Sequence, residues 1–300
     1  MKVTLDLSDL VARGAITQTE ADKLKGLAAE DTGALGSNIL LGFGTIAVAL
    51  GGGFLFPTAE TVVVIGALLL AMGLWLILAR QTRWAVFARI CATIGALGVV
   101  GGVSFLTDGN FYVNVALAAG LGVAAFAATS GLLAALAILQ FSIALGSGTS
   151  YWHAAYFVWV EQPAQTIAVL TVLTLALFFV SLRVPSAYER VALIAARTAI
   201  LIINLAFLVG SLFGDRQLQW SPSTFSVVWA LLLVGVGLWA VRANRRWVVN
   251  AAAIFGAIHF YTQWFEYLGP SPLSILGGGV LLIGFGLVLR AFNRRAVAPA

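Results

Sequence analysis

Residues 61–106 read TVVVIGALLLAMGLWLILARQTRWAVFARICATIGALGVVGGVSFL. Two uninterrupted apolar runs, 61–79 and 85–106, flank a turn that holds Arg80 and Arg83, with Arg89 just inside the second run. A bilayer core about 30 Å thick needs roughly 20 mostly apolar residues in a helix rising about 1.5 Å per residue. Each run therefore predicts one membrane span. The apolar residues are continuous rather than alternating, which argues against a transmembrane barrel.

Eight further runs of the same kind occur at 34–56, 111–128, 131–149, 163–182, 191–213, 223–241, 247–265 and 272–289. The expected fold is an all-α, polytopic integral membrane helix bundle of about ten transmembrane helices. The fourth and fifth runs are separated only by Thr129, Ser130 and Gly131. Of the 300 residues 61% are hydrophobic and 10% charged, against roughly 45–50% and about 25% in soluble domains. This composition excludes an ordinary water-soluble enzyme, a disordered chain, a collagen and a coiled coil. The single cysteine, Cys91, excludes an intramolecular disulfide framework.

Basic residues in short loops collect on the cytoplasmic side. With the N-terminus inside, every one of the 17 Lys and Arg residues except Arg216 falls on the inner side, while Glu60, Asp108, Glu161, Asp215 and Glu266 fall outside. A span missed or invented would break this alternation, and it does not break. The prediction is a multi-pass protein of the cytoplasmic (inner) membrane, N-in and C-in, with residues 34–290 as the transmembrane domain and 291–300 as a cytoplasmic tail. Tryptophan agrees, because indole favours the headgroup zone. Trp75, Trp84, Trp239 and Trp247 fall near the inner interface and Trp152, Trp159, Trp220 and Trp264 near the outer one, with only Trp229 inside a span.

Residues 1–33 differ in kind, mixing acids and bases with no apolar stretch long enough for a signal peptide. They predict a cytoplasmic helical hairpin. The first helix covers about 8–13 and Gly14 suits its left-handed cap. Thr17-Gln18-Thr19-Glu20 is a capping-box sequence that opens a second helix to about Ala29. Leu7, Leu10 and Val11 can then face Ala21, Leu24 and Leu27. The string Leu10-x-x-x-Gly14-x-Ile16-Thr17-x-x-Glu20-Ala21-x-x-Leu24 resembles the short hairpin that heads a family of bacterial predicted membrane proteins, a domain family of unknown function. The resemblance implies a Gly-rich polytopic region with aromatic outer loops and a last span ending in arginines, here Gly277-Gly278-Gly279 through Arg290 and Arg295. It implies no activity. A hairpin this short buries too little surface to stand alone, so it is expected to pack on the inner loops, on a second copy or on a membrane protein partner.

The chain carries no HExxH, GxSxG or P-loop motif. No carboxylate lies near the middle of a run, which counts against a proton relay built from acids. No catalytic, cofactor or metal residues are assigned, and no nucleic-acid partner is expected. Gln140 and Asn204 are the neutral polar groups at depth. Each needs partners inside the bundle, through interhelical hydrogen bonds or by lining a polar cavity. Arg197 lies seven residues before Asn204 and shares its helical face, so Gln140, Asn204 and Arg197 are the candidate cavity residues.

On the outer side His259, Thr262, Gln263 and Glu266 make one stripe at i, i+3, i+4 and i+7. In residues 151–161 the spacing of Trp152, Tyr156 and Trp159 predicts a helical segment lying in the interface. His153, Glu161, His259, Gln263 and Glu266 are therefore either an aromatic belt with a polar rim or an outward-facing mouth. Glycines such as Gly98-x-x-x-Gly102 and Gly210-x-x-x-Gly214 predict close helix packing, and Gly51-Gly52-Gly53 marks a helix end that can unwind. Three readings of function follow: a small-molecule transporter or channel, a non-transporting assembly or envelope-maintenance protein docking through residues 1–33, and an intramembrane enzyme, the least supported.

Overall fold

The computed structural model describes residues 10–11, 13–152 and 155–295. Among them are ten long helices: α1 (Gln18–Leu55), α2 (Ala59–Leu78), α3 (Ala85–Leu106), α4 (Phe111–Ala127), α5 (Gly131–Ala144), α6 (Pro163–Ser181), α7 (Ser186–Phe213), α8 (Pro222–Arg242), α9 (Arg246–Leu268) and α10 (Pro272–Arg295). Between α5 and α6 lies an antiparallel pair, β1 (Ser147–Trp152) and β2 (Ala155–Val160). Six helical stretches are long and apolar enough to cross a membrane: Ser37–Leu55 of α1, then α2, α3, α6, α7 and α8. The protein is helical and membrane-like in character, with one helix in each apolar run. The chain forms two compact units, Met1–Gln140 and Phe141–Ala300.

Three sequence expectations are corrected. The second hairpin helix does not end near Ala29 but continues as α1 to Leu55. No proline occurs between Gln18 and Leu55, so no backbone donor is missing. Gly51, Gly52 and Gly53 remain helical within it, and the Phe56 N–H still donates to the Gly52 carbonyl at 3.1 Å. Second, the fifth run does not reach 149. It stops at Ala144, and Gly146 turns the chain at φ +82°. Third, within 151–161 the residues Tyr151, Trp152 and Ala155–Val160 are strand, not interfacial helix, so Trp152, Tyr156 and Trp159 share no helical face. Thr, Tyr, Phe, Val and Trp dominate this segment, and such residues suit a pleated ladder. Gly148 pairs with Trp159, and a Cβ on Gly148 would stand 2.6 Å from the indole.

The hairpin capping expectations hold where they are described. Gly14 sits at φ +70°. Its N–H donates to the Val11 carbonyl and that of Ala15 to Leu10, both at 2.9 Å, the paired bonds of a Schellman cap. Thr17 Oγ1 accepts from the Glu20 N–H at 3.3 Å while a Glu20 carboxylate oxygen accepts from the Thr17 N–H at 2.8 Å, which completes the capping box. Leu7 and most of the first helix lie outside the described residues.

In the first unit α2 and α3 pack backbone on backbone. A Cβ on Gly66 would stand 2.7 Å from the Val99 nitrogen, and Cβ atoms on Gly73 and Gly95 would strike the Ala92 and Leu70 backbone nitrogens. Without a hydrophobic drive between helices in lipid, such close approach supplies the attraction. In the second unit Gly210 plays this part against the Phe225 ring, which a Cβ at that position would meet at 2.6 Å. Gly214, paired with it by spacing, ends α7 at φ +73° instead. The aromatic core of the second unit is Phe207, Phe225, Trp229 and Phe255.

Candidate functional site

The second unit holds two cavities with polar side chains in their walls. A cavity of about 260 Å³ lies between α6, α7, α8 and α9 and is lined by Asn204, Trp229, Phe207 and Thr171, among mostly apolar side chains. A second cavity of about 650 Å³ is lined by Arg197, Trp247, Trp239, Arg245 and Arg246. Thr174, Ile200, Val236 and Trp247 line both, so the two adjoin along one cleft between these helices. Arg197, Ile200 and Asn204 stand at i, i+3 and i+7 on α7, and this single helix face forms one wall.

Polar contacts fix each end. The Trp229 indole N–H donates to Asn204 Oδ1 at 3.0 Å, and Asn204 Nδ2 donates to the Ile200 carbonyl of its own helix at 2.8 Å. The Asn204 amide is thus oriented by the most buried tryptophan, itself stacked on Phe207 with the rings 5° from parallel. At the other end the Arg197 guanidinium lies over the Trp247 ring, 5.0 Å from its centroid. A cation so placed is attracted to the negative face of the ring.

Gln140 has a different setting. The 131–149 run places it at a midpoint, whereas in α5 it stands one turn from the C-terminal end. Its Nε2 donates to Asn114 Oδ1 at 2.6 Å and to Ser104 Oγ at 3.1 Å, and Ser104 Oγ donates to the same Asn114 oxygen at 2.6 Å. Gln140 is 2% exposed and Asn114 is fully buried. The triad ties α3, α4 and α5 together within the first unit and lines none of the cleft described above. Ser104 and Asn114 are polar residues near helix ends whose role the sequence does not announce.

The outer candidates divide. His153 lies outside the described residues. The Glu161 N–H donates to the Gly146 carbonyl at 3.1 Å at the foot of the strand pair, with an exposed side chain. His259 turns inward and meets Trp229 edge-on at 4.8 Å. Thr262 Oγ1 donates back to the Ile258 and His259 carbonyls at 3.0 and 2.9 Å. The stripe on α9 is therefore partly spent on its own helix. Gln263 is half-buried and Glu266 exposed. Among the described residues no group of three His, Cys, Asp or Glu side chains converges as a metal site.

Two long-range caps escaped the sequence reading. Asp215, 3% exposed, accepts from the Ala164 N–H at 3.1 Å and from the Gln217 and Leu218 N–H groups at 2.9 and 3.0 Å. It thereby caps α6, whose own N-cap residue Gln162 makes no side-chain cap. Asn38 on α1 likewise accepts from the Phe87 N–H at 3.4 Å and donates to the Arg83 carbonyl at 2.8 Å. It serves α3, where Trp84 provides no cap.

No family model, curated protein or solved structure matches this chain. The functional reading therefore rests on the geometry.

Proposed function

We propose that the chain is a ten-span protein of a bacterial cytoplasmic membrane, with both termini in the cytoplasm, and that its second unit binds and moves a small, largely apolar molecule through the α6–α9 cleft. The observation that carries this reading is the cleft itself. It is mostly apolar, with an oriented amide at one position and a guanidinium at another, the arrangement expected of a ligand site between helices. The arginine-rich inner loops support the orientation. The 17-residue α4 and 14-residue α5 are short for a 30 Å core. They come as a pair, so whether they cross fully or partly, the termini remain on one side.

A second reading has its own observation. In the Ser104–Asn114–Gln140 triad both amides are buried and act as interhelical glue, which suits a dry assembly protein that docks through residues 1–33. The family resemblance of that segment belongs to the same proposal.

Labelling with a membrane-impermeant thiol reagent decides between them. In a Cys91→Ala background, Thr174→Cys and Gln140→Cys are exposed to reagent in intact cells and in inside-out vesicles, with Glu60→Cys and Arg242→Cys as outer and inner controls. Transport predicts that Thr174→Cys reacts from one side and Gln140→Cys from neither. If Thr174→Cys stays unlabelled from both sides while the controls react, the cleft is dry and the assembly reading takes its place.

A further inference from the structure

We infer that the cleft selects a single-chain anionic amphiphile, of the long-chain carboxylate class, with its head at Arg197 and its chain directed toward Asn204 and Trp229. This rests on the reading of the cleft as the binding site and adds the ligand's chemistry. The charge is one-sided. Arg197 and Arg245 line the larger cavity, and no Asp or Glu is among the described residues lining either cavity.

Arg197 is also placed unlike a loop arginine. It lies about 9 Å along α7 from the start of the apolar run at residue 191, at 1.5 Å per residue, and among the described residues it meets the Trp247 ring rather than a carboxylate. A guanidinium at such depth is costly, and is retained where it faces a cavity or a counter-ion. The ring holds the cation at the wall while leaving its N–H donors available, and a guanidinium presents those donors in a fork that matches a carboxylate. Beyond it the wall is apolar except for Thr171, Thr174 and the Asn204 amide. Together the two cavities, of about 260 and 650 Å³, are the size that takes one drug-sized ligand, which favours one chain over a two-chain lipid.

The test uses the full-length protein in phosphatidylcholine vesicles with three spin-labelled probes: stearate, the methyl ester of the same stearate, and phosphatidylglycerol. The electron spin resonance spectrum reports the immobilised fraction of each. Stearate should be held at least about five-fold more strongly than its ester, since one basic residue near an anionic head contributes about that factor. Arg197→Gln should remove about five-fold of the stearate preference, and Arg183→Gln, in the α6–α7 turn away from the cleft, should leave it unchanged. Equal retention of stearate and ester by the unaltered protein overturns the inference without any variant. So does stronger retention of phosphatidylglycerol than of stearate, or an equal effect of Arg183→Gln. If Thr174→Cys is labelled while stearate is not retained, the cleft stands as a site and the ligand class is wrong.

Discussion

The Asp215 carboxylate accepts the Ala164 N–H at 3.1 Å across 51 residues of chain, and so caps a helix to which it does not belong. The same carboxylate accepts from the Gln217 and Leu218 N–H groups of its own loop, whose ends Asp215 and Trp220 join by backbone hydrogen bonds at 2.9 and 3.1 Å. A negative charge at a helix N-terminus also interacts favourably with the helix dipole. One side chain therefore fixes the start of α6 and the link from α7 to α8.

Asp215→Ala leaves three amides without this acceptor and should lower stability by about 2–3 kcal/mol. Asp215→Asn keeps an acceptor and should cost less than half of that. Thermal unfolding of the detergent-solubilised protein reads both. An unchanged midpoint for Asp215→Ala contradicts the capping role.

At the α2–α3 contact, Gly73→Ala and Gly95→Ala place a Cβ against backbone atoms that cannot step aside. Each should destabilise by about 1–3 kcal/mol. Gly101→Ala on α3 meets nothing within 4 Å and should be neutral or mildly stabilising through helix propensity. Three equal midpoints would show that backbone contact is not what joins these helices.

The buried triad should behave as one unit. Asn114→Leu and Gln140→Leu each remove the direct Gln140–Asn114 hydrogen bond, which the double variant loses only once. A double-mutant cycle should give a coupling of about 1 kcal/mol. Simple additivity would mean that the two amides do not interact.

Hydrogen bonds from the Thr17 amide and hydroxyl hold the Glu20 carboxyl below its ordinary value of 4.5. A depressed folded value means that the cap's contribution is complete above 4.5 and is lost as the pH falls through the lower folded value. The carboxyl carbon resonance of Glu20 should titrate below 4.5, and Thr17→Ala should move the midpoint upward. A midpoint at or above 4.5 in the unaltered protein is incompatible with the box.

The helices were legible because apolar runs bounded by arginines leave few alternatives: each of the ten runs holds one helix. The caps at Gly14 and Thr17 were legible because their partners lie within five residues. Asp215 and Asn38 were not, since their partners lie 51 and 45 residues away and nothing local marks them. Gln140 stood out by its polarity, but Ser104 and Asn114 hid among the ordinary residues of helix ends. At 151–160 a helical spacing of aromatics coincided with strand-favouring composition. There the composition was the better guide, because a spacing of three or four occurs easily by chance where nearly every residue is large and apolar.

The unbroken run of α1 has a mechanical consequence. At 1.5 Å per residue its 38 residues make a rod about 57 Å long, clamped near its middle where Asn38 grips the start of α3. About that clamp, a tilt of about five degrees displaces each end by about 2.5 Å in opposite directions. With no hinge to absorb the motion, a push on the turn at Thr17 arrives at Pro57 as a swing.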